Sequence, residues 1–226
     1  MENKKIISHI VSTFICLVFI NKVYAMDVNS YNKLKIYSNK ITSQLPSDWK
    51  IIEEKKKIKE FVVDLKKPYL GFCLGCQLLG EVVGGKVVKS KPAEIGIMDI
   101  NFSKEKDQDK LFSEFPEKIK SLQWHSYEVQ GIDNNKDVTL LASSPVTKYQ
   151  IFKYQNHAYG IQFHIEVKDT TVNTWGCVAE YKSALEEQLG DGALEKFDKE
   201  AKLNMRQMNN CSKILYSKFK NEIIKV

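Results

Sequence analysis

The sequence predicts an α/β fold: a sheet with helices against it, an added antiparallel section, and a helical C-terminus. Three observations carry that prediction. Helical and strand periods alternate between Ser47 and Gly85, short strand-like runs cluster from Lys86 to Phe163, and after Glu166 the pattern is helical almost to Val226. With 226 residues, 43% hydrophobic and 27% charged, the chain has the balance of a globular protein with a sizeable core, not of a disordered or repeat-built one.

Taken in order, Lys4 and Lys5 precede an apolar stretch from Ile6 to Ile20, and Val23-Tyr24-Ala25 supplies small residues where a signal peptidase inspects the chain. Residues 1–25 therefore read as a signal-peptide-like segment, which predicts export, with a cytoplasmic location as the alternative. A membrane-spanning helix needs about 20 apolar residues, and this run is shorter and interrupted by Ser8, His9, Ser12 and Thr13, so no stable span is expected. A buried strand remains an alternative, since Ile, Val, Thr and Phe favour strands. Met26 to Pro46 is rich in Asn, Ser, Lys and Tyr and reads as irregular entry into the domain.

Ser47 and Asp48 can cap a helix through about Leu65, along which Ile51, Ile52, Ile58, Phe61, Val62 and Leu65 recur at helical spacing. Lys67-Pro68 ends it. Tyr69 to Phe72 is a short strand, Leu74 to Val83 a helix, and Gly84-Gly85 its stop. Strands follow at Lys86–Lys89, Ile95–Phe102, Ser121–Trp124, Val138–Ala142, Gln150–Tyr154 and Ala158–Phe163, with Gln155-Asn156-His157 as a hairpin turn. Gly190-Asp191-Gly192 breaks the terminal helical pattern, so residues 26–190 are expected as the domain and 191–226 as a helical extension.

The net charge of +6 lies in lysine runs that alternate with acidic residues. These are solvated helix faces rather than a nucleic-acid surface, because no aromatic residues interleave as stacking platforms. Cys16, Cys73, Cys76, Cys177 and Cys211 form neither a disulfide framework nor paired CxxC sets with histidine, so no metal or other cofactor is expected.

Gly71-Phe72-Cys73-Leu74-Gly75 has the G-x-C-x-G form of a nucleophile elbow, where a strand turns sharply into a helix. The glycines permit close backbone approach. The helix N-terminus below the sulfur favours the thiolate, and the Leu74 amide points toward the oxygen of a tetrahedral intermediate. Downstream, the strand Tyr159 to Phe163 ends in His164-Ile165-Glu166, and residues two apart in an extended chain share a side. The histidine can move the thiol proton while the carboxylate orients it. Each motif alone also fits a packed structural residue, and Cys73-Leu74-Gly75-Cys76 alone fits a thiol–disulfide oxidoreductase; the two motifs together favour the triad.

With these motifs the sequence resembles class I glutamine amidotransferases, in particular stand-alone members similar to the amidotransferase half of GMP synthase. The matching pieces are KPYLGFCLGCQLLGEVVGG around Cys73, QWHSYEV from Gln123 to Val129, and YGIQFHIEV ending at Val167. The resemblance implies a flavodoxin-like doubly wound sheet and hydrolysis of glutamine to glutamate and ammonia through a glutamyl thioester. It makes Cys73 the nucleophile, His164 the base, Glu166 its orienter and Leu74 the oxyanion amide. Gln77, Ser126 and Tyr127 then bind substrate, and His125 is structural. Glutamine is the implied substrate; with no P-loop in the chain, the ammonia would pass to a separate synthetase subunit.

Departures from the family pattern carry expectations of their own. Val23-Tyr24-Ala25 stands where relatives have a Gly-Gly-Pro-like loop, so the domain is expected to lack the usual first strand and helix and one oxyanion donor. Such a donor is worth about 100- to 1,000-fold in rate, which leaves a catalytically impaired or binding protein as the alternative. Ile165 replaces the usual proline, and Cys76 adds a C-x-x-C with a possible redox role.

Overall fold

A computed structural model describes residues 47–224. The signal-like segment, the irregular entry and Val23-Tyr24-Ala25 lie outside the described residues. Helix α1 (Ser47–Lys59) continues through a π turn (Glu60–Asp64) to Leu65, the extent that its apolar period predicts. Strand β1 (Tyr69–Phe72) and helix α2 (Leu74–Val82) follow. Then come β2 (Lys86–Phe102), β3 (Lys118–Gln130), β4 (Val138–Ser143), β5 (Ile151–Tyr154) and β6 (Ala158–Ile161). Helices α3 (Thr171–Gly176), α4 (Ala179–Leu189) and α5 (Ala193–Lys218) end the described chain, with a last π turn over Phe219–Ile224. None of the described helices is long and apolar enough to cross a membrane.

The strands form one six-stranded mixed sheet in the order β1-β6-β5-β4-β2-β3. Among the described strands β1 and β6 are the parallel pair, and the remaining neighbours are antiparallel. The sheet curls back on itself beyond β6. There Leu122 of β3 donates to the His164 carbonyl at 3.1 Å and His164 donates to the Leu122 carbonyl at 2.8 Å. The result is a half-barrel with helices against it.

Strand β6 stops at Ile161, short of the expected Phe163, and two longer strands differ more from the sequence expectation. The runs Lys86–Lys89 and Ile95–Phe102 are one strand, β2, whose register against β3 shifts between Lys89 and Glu94. Strand β3 extends well past Ser121–Trp124 at both ends. Polar residues sit inside it, with Ser121, Gln123, His125 and Glu128 all buried, so the alternation that marks a half-buried strand is masked.

Alternate residues feed two apolar clusters, one on each face of the sheet, as the period of a strand requires. Tyr69, Phe152 and Ala158 join Ile58, Val62, Leu79 and Val129 on the side of α1 and α2. Their chain neighbours Leu70, Ile151 and Tyr159 join Phe163, Phe197, Met208 and Leu215 on the side of α5. In α5 the buried residues Phe197, Ala201, Met208, Cys211 and Leu215 recur at helical spacing and make one stripe. Gly190 and Gly192, at φ 83° and 72°, supply the left-handed backbone that separates α4 from α5.

Candidate active site

The site begins at the turn between β1 and α2. Cys73 has φ 47° and ψ −103°, a conformation that costs a non-glycine residue about 1–3 kcal/mol. Hydrogen bonds on both sides hold it there: its amide donates to the Ile161 carbonyl at 2.8 Å, and its carbonyl accepts from the Gln77 amide at 3.0 Å. Gly71 is required because a Cβ there would lie 2.6 Å from the backbone carbon of Gly75. The Tyr69 hydroxyl closes the turn by donating to the Gly75 carbonyl at 2.9 Å. Cys73 is left half-buried at the sheet end. The amide of Leu74 belongs to the first helical turn, where N–H groups have no acceptor within the helix.

His164 arrives from the strand end after β6 and is buried, its backbone fixed to Leu122. Its Nδ1 meets Glu166 Oε1 at 2.5 Å, and the other carboxylate oxygen accepts the Ile165 amide at 2.9 Å. Glu166 is thereby fixed by its own backbone without a proline before it. The Trp175 ring of α3 packs edgewise on the imidazole, with centroids 5.0 Å apart. Burial lowers the His164 pKa. The charge of Glu166, a hydrogen bond with Cys73 and the Glu166 hydrogen bond outweigh it, so the imidazole is pushed up to about 10. Cys73, His164 and Glu166 thus meet at one point, with Nε2 the imidazole atom left for the sulfur.

Gln77 is buried in α2, and its Nε2 donates to the Tyr127 carbonyl at 3.0 Å and to Gln162 Oε1 at 3.1 Å. Ser126 and Tyr127 are half-buried on β3, where the register shift leaves Ser126 between the paired residues Tyr127 and His125. Both ring nitrogens of His125 are engaged elsewhere: its Nδ1 lies 3.0 Å from the Tyr127 carbonyl and its Nε2 3.3 Å from Glu94. Glu94 is buried and also accepts from Ser144 at 2.6 Å and Gln150 at 2.8 Å. Burial raises its pKa, but the hydrogen bonds from His125, Ser144 and Thr147 bring it below the ordinary value.

Cys76 is fully buried in the cluster beside α1, and a Cβ on Gly160 would lie 3.0 Å from its sulfur. Burial, with the charge of Cys73 adding to it, pushes this thiol well above its ordinary value. Such a thiol is a poor attacking group.

Gln162 is the residue that sequence reasoning passes over. It is buried, and its Nε2 donates to Cys73 Sγ at 3.7 Å. Its place two residues before His164 on an extended chain was a usable signal. Trp175 had none, because its contact with His164 comes from packing of α3.

The family "Glutamine amidotransferase class-I" matches residues 4–175, a span that takes in both motifs and begins at Lys4, ahead of the apolar N-terminal stretch. A glutamine-hydrolyzing GMP synthase subunit of Picrophilus torridus is 33% identical over 118 residues, 52% of this chain and 60% of that protein. The glutamine amidotransferase-like protein YfeJ of Salmonella typhimurium is 29% identical over 147 residues, covering 65% of this chain and 59% of that one. The chain thus spans about three-fifths of the length of these curated relatives. A glutamine amidotransferase crystal structure from Thermotoga maritima superposes with a TM-score of 0.63 at 27% identity, covering 74% of this chain and 69% of that one.

Proposed function

Since the chain belongs to the class I glutamine amidotransferase family, we propose that it hydrolyses the side-chain amide of glutamine to glutamate and ammonia through Cys73, His164 and Glu166. The observation that carries the reading is the convergence of the Cys73 turn with an imidazole whose Nδ1 is held by Glu166 and whose pKa is pushed up to about 10. Such an imidazole carries its proton at neutral pH, in place for the departing nitrogen.

The thiolate attacks the carboxamide carbon, and the carbonyl electron pair moves to oxygen beside the Leu74 amide. His164 Nε2 gives its proton to the departing nitrogen, the C–N bond breaks, and ammonia leaves a glutamyl thioester. Water then attacks the thioester, His164 takes its proton, and the C–S bond breaks to return the thiolate and release glutamate. Glu166 stabilises the imidazolium in both steps. Gln77 and the backbone of Ser126 and Tyr127 form the side of the site that receives the amino acid end of glutamine. The ammonia goes to a separate synthetase subunit. Similarity to proteins named as subunits of a glutamine-hydrolyzing GMP synthase supports that reading.

Release of glutamate from glutamine should be abolished by Cys73→Ala while the variant keeps its melting temperature. Release that survives this substitution would sink the reading. Val23-Tyr24-Ala25, which the family resemblance sets at the place of a Gly-Gly-Pro-like loop, supports a second reading, a protein that binds glutamine but turns it over poorly. Glutamine protection of Cys73 from alkylation without measurable glutamate release would select it.

A further inference from the structure

Gln162 is 0% exposed, so each polar atom of its side chain needs a partner to offset the cost of burial. Its oxygen accepts from Gln77 Nε2 at 3.1 Å, and its nitrogen lies 3.7 Å from Cys73 Sγ. The two ends of an amide have nearly the same shape, so the surrounding network decides which faces the sulfur. Here the network runs in one direction. The Tyr127 carbonyl can only accept, so Gln77 must present its nitrogen to it at 3.0 Å, and the second hydrogen of that nitrogen points to Gln162. Gln162 must then turn its oxygen to Gln77 and its N–H to the sulfur. Tyr127 is itself held on β3, where its carbonyl also meets His125 Nδ1 at 3.0 Å.

We propose that Gln162 is a further catalytic residue of this site, its side-chain N–H stabilising negative charge on the Cys73 sulfur, with Gln77 a positioning residue that keeps the amide in the donating orientation. The proposal rests on Cys73 being the nucleophile. A thioester sulfur is a far weaker acceptor than a thiolate, so the bond is strong when the sulfur is free and weak when it is acylated. Gln162 therefore favours the resting thiolate, and it favours expulsion of that thiolate when water breaks the C–S bond.

The test is the rate of Cys73 alkylation by iodoacetamide across pH, read by peptide mass on the full chain, for the parent, Gln162→Leu and Gln77→Leu. A hydrogen bond to a charged group corresponds to roughly one pH unit, so Gln162→Leu should move the profile up by about that much and slow alkylation near neutrality about tenfold. The rate plateau at high pH and the melting temperature should be kept. Gln77→Leu, which touches the amide and not the sulfur, should shift the profile the same way by less. An unshifted profile, or an equal fall at every pH including the plateau, overturns the proposal. If Gln162→Leu does not melt cooperatively, Gln77→Leu decides: an upward shift supports the proposal and an unchanged profile overturns it. A parent chain whose Cys73 reacts no faster than an exposed thiol removes the nucleophile reading, and this proposal with it.

Discussion

At the scale of single residues, the site is an ion-pair problem solved by backbone. Glu166 is partly exposed and on its own would be a weak, mobile partner for a buried imidazole. It acts strongly because the Ile165 amide holds one of its oxygens at 2.9 Å while the other meets His164. Glu166→Gln keeps the shape and removes the charge, so the His164 imidazole should titrate well below its parent value of about 10, as read by NMR of the ring. The linked effect on stability has a definite sign. The folded pKa of His164 is raised, so its contribution is fully present below the ordinary value of 6.5, declines as pH rises, and is lost through about 10. Glu166→Gln should therefore destabilise the chain most at the lower end of that window, and denaturant melts of parent and variant should converge at the upper end.

At the scale of elements, the turn from β1 into α2 is where sequence and geometry agree most closely. Gly71 gives way for the backbone of Gly75, and Cys73 takes a positive φ so that its side chain leaves the sheet. Gly71→Ala would place a Cβ against backbone atoms that cannot move independently of the turn. It should cost about 1–3 kcal/mol in a denaturant melt. Because the displaced group is the turn that carries the nucleophile, Cys73 alkylation should slow as well. A variant with parental stability and parental thiol reactivity would show that the turn has room to spare. The elbow was legible because glycine spacing is local. The full length of β3 was not, since its buried polar residues interrupt the apolar alternation and its backbone pairing lies on another element: Gln123 stands opposite Gly96, and His125 opposite Glu94, both on β2.

At the scale of the whole molecule, the C-terminal helices reach the site through an aromatic stack. Phe197 of α5 lies 5.2 Å from Trp124, Trp124 lies 5.8 Å from Trp175, and Trp175 packs on His164. The helical extension expected from the break at Gly190-Asp191-Gly192 thus shares a core with the sheet that carries the triad candidates. Phe197→Ala should cost about 3–5 kcal/mol, the range for a buried aromatic truncation. It should also shift tryptophan emission and lower glutamine turnover, since the ring behind His164 loses its support. Parental turnover in a clearly destabilised variant would separate the stack from the chemistry.

The sequence alone determined the class of sheet, the elbow at Cys73, the strand end at His164 and Glu166, and the break before α5. Each is a pattern of neighbours, written by glycine spacing or by the periods of strand and helix. Tertiary structure alone decided that β2 and β3 are long paired strands and that His125 is committed to Glu94 and Tyr127. It also put Gln162 on the Cys73 sulfur and Trp175 on the His164 ring. These depend on partners far apart in the chain. A buried amide or imidazole is defined by what surrounds it after folding, and local sequence carries no record of that.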